Sequence, residues 1–242
     1  MSVDGIALNF KTVGPIVKTV GPILGIGIMW YALAVAQADD RQPDIARGAA
    51  IAAQGVAPGA PACAQCHAYN GASDGSGAFP RIAGQPDYYL AKQLRDYASG
   101  VRTNAVMTPI AKALSSENAA DVAAYYAGVN APFLPLKNAK AMLVKRGEQL
   151  AKVGDAAKDL QSCNNCHGPG GAGEPPAIPY LGGQYARYTV FQLTMWKRGF
   201  RKNSPDSMAD IAKRLDDQEI ASVAAYFQQV DASALAATHP KE

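Results

Sequence analysis

Apolar residues are distributed unevenly along this chain, and the longest uninterrupted apolar stretch comes early. Thr19 to Ala36 reads TVGPILGIGIMWYALAVA, eighteen residues without a charge. Wound as a helix it would be roughly 27 Å long, close to the thickness of a bilayer's hydrocarbon layer, which predicts a single transmembrane helix. Lys11 and Lys18 before it, with Asp39 and Asp40 after it, place the N-terminus in the cytoplasm and the bulk of the chain outside. Ala36-Gln37-Ala38 also resembles a signal-peptidase site, so cleavage near Ala38 is the alternative. The apolar run exceeds the usual core of a signal peptide, and a retained anchor over residues 1–38 is the preferred expectation. Past this segment the pattern is helical. Asp87 to Ser99 lacks internal Gly and Pro and stops at Gly100. Asp216 and Glu219 form a capping-box pattern ahead of IASVAAYF, and Ser115 or Ser116 opens the equivalent helix upstream. No stretch sustains strand alternation, and Gly/Pro-rich runs such as HGPGGAGEPPAIPYLGG lie between the helices. The fold class predicted is all-α with long loops.

The same polar and apolar positions return about one hundred residues later. Arg47-Gly48 falls on Arg146-Gly147, Ala78-Phe79-Pro80 on Ala177-Ile178-Pro179, Gly84-Gln85 on Gly183-Gln184, and Gln93-Leu94 on Gln192-Leu193. Gly100, Arg102 and Asn104 fall on Gly199, Arg201 and Asn203, and with two residues inserted Met107 falls on Met208. This predicts two copies of one domain, at 39–130 and 137–242, the second with a short C-terminal tail. Residues 131–136, with Pro132 and Pro135, read as a linker.

Composition adds two constraints. Aromatic residues are 8% of the 242, so the polypeptide core is thin in large side chains and has room for a bulky apolar group that is not protein. The net charge of +3 comes from interspersed acids and bases, which argues against nucleic acid as a partner. All four cysteines lie in two in-register C-x-x-C-H motifs, Cys63–His67 and Cys163–His167, leaving none for a disulfide framework. A thioredoxin-like dithiol would need a preceding strand, and zinc would need a fourth ligand in each copy. Covalent haem uses every repeated element: Cys63 and Cys66, and Cys163 and Cys166, as thioether anchors, with His67 and His167 beneath the iron. The methionines recurring after the central helix, Met107 and Met208, are the candidate second axial ligands. Met142 and Met195 lack such a counterpart and read as core filler, and His239 reads as a solvated tail residue. Two covalently bound haem c groups with His/Met coordination leave no open position on iron, which suits electron transfer rather than catalysis.

In CAQCH and CNNCH, FPRIAGQ and IPYLGGQ, and GVRTNAVMTPIA and GFRKNSPDSMADIA, the chain resembles the dihaem cytochromes c4, a tandem pair of class I cytochrome c domains. The resemblance spans roughly residues 44–230. It implies that the Pro80 and Pro179 carbonyls accept hydrogen bonds from the ring N–H of His67 and His167, and that the domains pack face to face with haem propionates near their interface. Arg102 and Arg201 are then candidates for propionate contact, against the alternative of solvated helix-end arginines. The expected function is single-electron carriage between a quinol-oxidising complex and a terminal oxidase on the periplasmic side of a bacterial inner membrane, with no small-molecule substrate. The alternatives are the cytochrome subunit of a periplasmic dehydrogenase and a fixed subunit of a respiratory supercomplex. Lys197, Arg198, Arg201 and Lys202 form a basic cluster that could dock an acidic partner or be a solvated face.

Overall fold

The structure, a computed structural model, describes residues 41–133 and 139–231. The expected transmembrane helix lies outside them; among the described residues no helix is long and apolar enough to cross a membrane. These residues form ten α-helices joined by long loops, and the only pairings of β type are isolated bridges. In the first copy the helices are α1 (Ile45–Gln54), α2 (Ala64–His67), α3 (Asp87–Ser99), α4 (Met107–Lys112) and α5 (Ser116–Gly128). The second copy repeats them as α6 (Ala141–Lys152), α7 (Asn164–His167), α8 (Ala186–Lys197), α9 (Met208–Arg214) and α10 (Asp217–Gln229).

Local signals set the ends of these helices. Ser115 caps α5 by accepting from the Asn118 N–H, and Asp216 and Glu219 complete their capping box on α10. Gly100 closes α3 in the left-handed conformation. In each copy the first and last helices cross at a glycine. A Cβ on Gly48 would stand 2.1 Å from the Asp121 carbonyl oxygen, and one on Gly147 would stand 2.0 Å from that of Ser222, so only glycine permits these backbones to approach so closely. The repeated arginine beside each glycine then reaches a carboxylate on the facing helix. Arg47 pairs with Asp121, and Arg146 pairs with Glu219 at 2.6 Å.

Ile51, Ala52, Val122 and Tyr126 form the core of the first copy. The core of the second copy is fuller, with Leu150, Leu160, Leu193, Trp196, Leu215, Ile220 and Val223. Met142 does not join it: the side chain is 78% exposed at the start of α6, because the apolar face of that helix is carried by Gly147, Leu150 and Ala151. Met195 is half-buried and lines an open cleft of about 600 Å³ between α8 and residues 103–109.

The two copies meet through reciprocal contacts. Arg102 and Arg201 form an antiparallel bridge at the centre of the interface. On either side of it a glutamine from one copy grips the backbone of the other. Gln184 accepts from the Arg81 N–H at 3.0 Å and donates to the Arg81 carbonyl at 2.9 Å. Gln85 makes the same pair of bonds to Tyr180, at 3.0 and 2.9 Å. A contact repeated in both directions is the mark of an interface with approximate twofold symmetry.

Candidate haem sites

Each C-x-x-C-H motif folds as a single helical turn. The His67 N–H donates to the Cys63 carbonyl at 2.9 Å, and the His167 N–H to that of Cys163 at 2.9 Å. Positions i, i+3 and i+4 of such a turn share one face, so the two cysteines and the histidine of each motif point the same way. Cys63 packs against the first core and Cys163 against the second. Burial pushes the Cys163 thiol up to about 11 and raises that of Cys63, the reverse of what an attacking thiolate requires. Among the described residues no group of three or more His, Cys, Asp and Glu side chains converges to hold a metal ion.

Both imidazoles are buried, at 8% exposure for His67 and 7% for His167. Nδ1 of His67 lies 3.2 Å from the Pro80 carbonyl oxygen, and Nδ1 of His167 lies 2.9 Å from that of Pro179. A carbonyl can only accept, so Nδ1 carries the proton and Nε2 keeps its lone pair for a metal. Burial lowers the pKa of both rings and outweighs the opposing effect of the carbonyls, so both are neutral at pH 7.

Met107 and Met208 each begin a short helix, α4 and α9, after the loop that follows the central helix. Met208 packs against the same core cluster as Cys163. The stretch before Met107 is fixed by Asn104, whose side-chain oxygen accepts from the Val106 and Met107 N–H groups at 2.9 Å each. Its counterpart Asn203 instead crosses the interface to Gln93 and Asp96, at 2.9 and 2.8 Å.

Arg102 and Arg201 are not solvated helix-end arginines. They are 4% and 5% exposed, and the partners of their guanidinium groups are neutral. Arg102 donates to Gln93, Tyr188 and Gln192, and Arg201 to Gln192, Gln93 and Asn203. Each also lies over an aromatic ring, Arg102 over Tyr97 at 4.5 Å and Arg201 over Trp196 at 3.6 Å. Burial and the charge of Arg102 lower the pKa of Arg201, whereas Arg102, held against Tyr188, is raised despite its burial, and the two guanidiniums lower the Tyr188 phenol in turn. Two buried cations without a carboxylate partner are costly unless an anion joins them. Trp196 adds a buried indole N–H with no hydrogen-bond partner. These donors fit the carboxylates of a haem, and the one-faced cysteine pairs and neutral imidazoles fit its porphyrin and iron.

The cytochrome c family model matches residues 45–129 and again 144–231. A cytochrome c4 of Pseudomonas aeruginosa is 38% identical over 187 residues, 76% of this chain and 90% of that protein. The chain belongs to the dihaem cytochrome c4 family. It carries two covalently bound haem c groups and is an electron-transfer protein rather than an enzyme. The crystal structure of reduced recombinant cytochrome c4 from Pseudomonas stutzeri superposes with a TM-score of 0.69 at 31% identity, covering 78% of this chain and all of that one. A protein of Stutzerimonas stutzeri described as a thiosulfate dehydrogenase electron acceptor is 38% identical over 210 residues, 86% of this chain and 94% of its own.

The sequence reading left the interface glutamines without a role, although Gln85, Gln93, Gln184 and Gln192 all recur in register. A polar residue that repeats at buried positions on both copies is the signal that would have found them. The basic cluster is also smaller than it looked. Arg201 is buried in the interface, and Lys197 is paired with Asp217 at 2.8 Å.

Proposed function

We propose that this cytochrome stands on the periplasmic face of the inner membrane and carries single electrons from a quinol-oxidising complex to a terminal oxidase. His67 with Met107 and His167 with Met208 are the axial ligands in this reading, and Cys63, Cys66, Cys163 and Cys166 are the thioether tethers. Each haem, when bound, takes up and releases one electron at iron. The chain does the rest. The Pro80 and Pro179 carbonyls fix the imidazole planes, and burial of both histidines keeps water from the proximal side. Arg102, Arg201 and Trp196 would hold the propionates and neutralise their charge at the interface.

The observation that supports the two-haem part of this reading is the pair of buried guanidiniums at the meeting point of the two copies, which would offer donors to the propionates of both haems. The relative described as a thiosulfate dehydrogenase electron acceptor supports a second reading, in which the donor is a periplasmic dehydrogenase. Stopped-flow reduction of the oxidised holoprotein separates them. Fast reduction by a purified quinol-oxidising complex, followed by fast oxidation by a terminal oxidase, is the expected result. Reduction by thiosulfate dehydrogenase and thiosulfate, with none by the quinol-oxidising complex, would replace the first donor with the second.

A further inference from the structure

The carbonyl of Pro80 and the N–H of Arg81 are two ends of one peptide group, as are the carbonyl of Pro179 and the N–H of Tyr180. In each case the carbonyl end accepts from a buried histidine of its own copy, while the N–H end donates to a buried glutamine of the other copy. The result is a continuous hydrogen-bond relay across the interface. His67 connects through the Pro80–Arg81 peptide to Gln184, and His167 through the Pro179–Tyr180 peptide to Gln85. Both glutamines are themselves buried, at 7% exposure for Gln85 and 8% for Gln184. Their own segments are pinned in turn, with the Gly84 N–H donating to Tyr126 at 2.9 Å and the Gly183 N–H to Phe227 at 2.8 Å.

We propose that Gln85 and Gln184 are positioning residues that set the reduction potential of the haem in the opposite copy. The relay makes the sign definite. When an amide N–H donates to a glutamine oxygen, electron density shifts toward the carbonyl end of the same peptide group, which becomes a stronger acceptor. A stronger bond from the histidine Nδ1–H makes the imidazole a better donor at Nε2. A more basic imidazole favours the ferric state, so the potential falls. Docking of the two copies thereby lowers both potentials, each through the partner's glutamine. The second hydrogen bond, from the glutamine amide to the carbonyl of Arg81 or Tyr180, holds the acceptor in place but does not feed the relay.

This inference rests on the reading of His67 and His167 as iron ligands, and its test is a redox titration of the whole holoprotein with the two haems assigned by their paramagnetically shifted methyl resonances. Gln85→Met conserves volume and removes both hydrogen bonds. It is expected to raise the potential of the haem on Cys163 and Cys166 while leaving the other near its wild-type value. Gln184→Met is expected to do the converse. Gln85→Glu keeps an oxygen for the Tyr180 N–H and is expected to bring no rise. A merely structural role would loosen the interface and move both potentials together. Equal shifts of both haems, a shift confined to the mutated copy, or no shift in either Met variant would overturn the proposal. A wild-type spectrum without two low-spin, histidine-ligated haems would instead overturn the ligand reading before any variant is compared.

Discussion

The two copies share one template, and they differ most where they face each other. In the first, Asn104 turns inward to hold the backbone ahead of Met107. In the second, Asn203 reaches across to Gln93 and Asp96 of its neighbour. Tyr97 underlies Arg102, whereas the larger Trp196 underlies Arg201. The position held by Asp96 in α3, buried and paired with Lys92 at 2.6 Å, is held by Met195 in α8. Duplication preserved the covalent and proximal machinery, and divergence concentrated on the distal approach and the seam. The two histidines keep the same carbonyl partner, but Phe79 stands edge-on to His67 at 6.2 Å where the second copy has Ile178, so the copies differ beside the imidazoles as well as along the elements that lead to the methionines.

The comparison breaks most visibly at the helix crossings, where the copies ought to behave alike. Gly48→Ala and Gly147→Ala each place a methyl group within the radius of a facing carbonyl, and each is expected to destabilise its own copy by about 3 kcal/mol, the upper part of the overpacking range. Denaturant unfolding followed by the absorbance of each haem checks this. A loss in only one of the two would show that the glycine is tolerated differently despite identical geometry.

Acid sharpens the comparison. Burial opposes ionisation of Asp121, but Arg47, the Asp44 N–H and Arg41 outweigh it and hold the carboxyl below its ordinary range. In the second copy that position is Ser222, and the carboxylate has moved one turn to Glu219. There burial is again outweighed, by Lys158, the Asp216 N–H and Arg146. Both carboxyls have folded-state pKa values below their unfolded ones, so the stability they give is present above about pH 4 and is lost as pH falls through the folded values. Unfolding free energies from urea titrations between pH 7 and pH 3 are expected to fall by on the order of 1–2 kcal/mol for each carboxyl. Asp121→Asn is expected to remove the acid-dependent part from the first copy alone.

The smallest effect expected is at the residue after each histidine. Gly168 takes a positive φ of 70° without penalty, while Ala68 is held at 59° in a region where a Cβ costs of order 1 kcal/mol. Ala68→Gly is expected to stabilise the first copy by about that amount, and Gly168→Ala to destabilise the second. Thermal unfolding of the two variants is the check.

Much of this was legible in the sequence, for reasons that lie in local chemistry. The helix ends at Ser115, Gly100 and Asp216 follow from side-chain caps and glycine's freedom, which depend on neighbours a few residues away. The repeat exposed the cysteine pairs because both C-x-x-C-H motifs keep one spacing at matching positions of the two copies. For Arg102 and Arg201 the sequence leaves propionate contact and a solvated helix end equally open, since only the covering second copy decides between them. Gln85 and Gln184 left only their recurrence in register as a signal: their partners stand about one hundred residues away, and nothing local distinguishes a clasp from a surface glutamine. Met142 differs for the opposite reason: its apolar side chain suggests core, but Gly147, Leu150 and Ala151 already form the buried face of α6 and leave Met142 exposed.

The central claim is that each copy holds one low-spin haem between its own histidine and its own methionine. A spectroscopic redox titration of the purified holoprotein, wild type beside Met208→Ala, tests it most directly. The account predicts two one-electron steps with a methionine-to-iron charge-transfer band in the wild type, and in the variant a lowered potential and loss of half that band at one haem only. A high-spin ferric haem or peroxide turnover in the wild type, or equal loss at both haems in the variant, would contradict it.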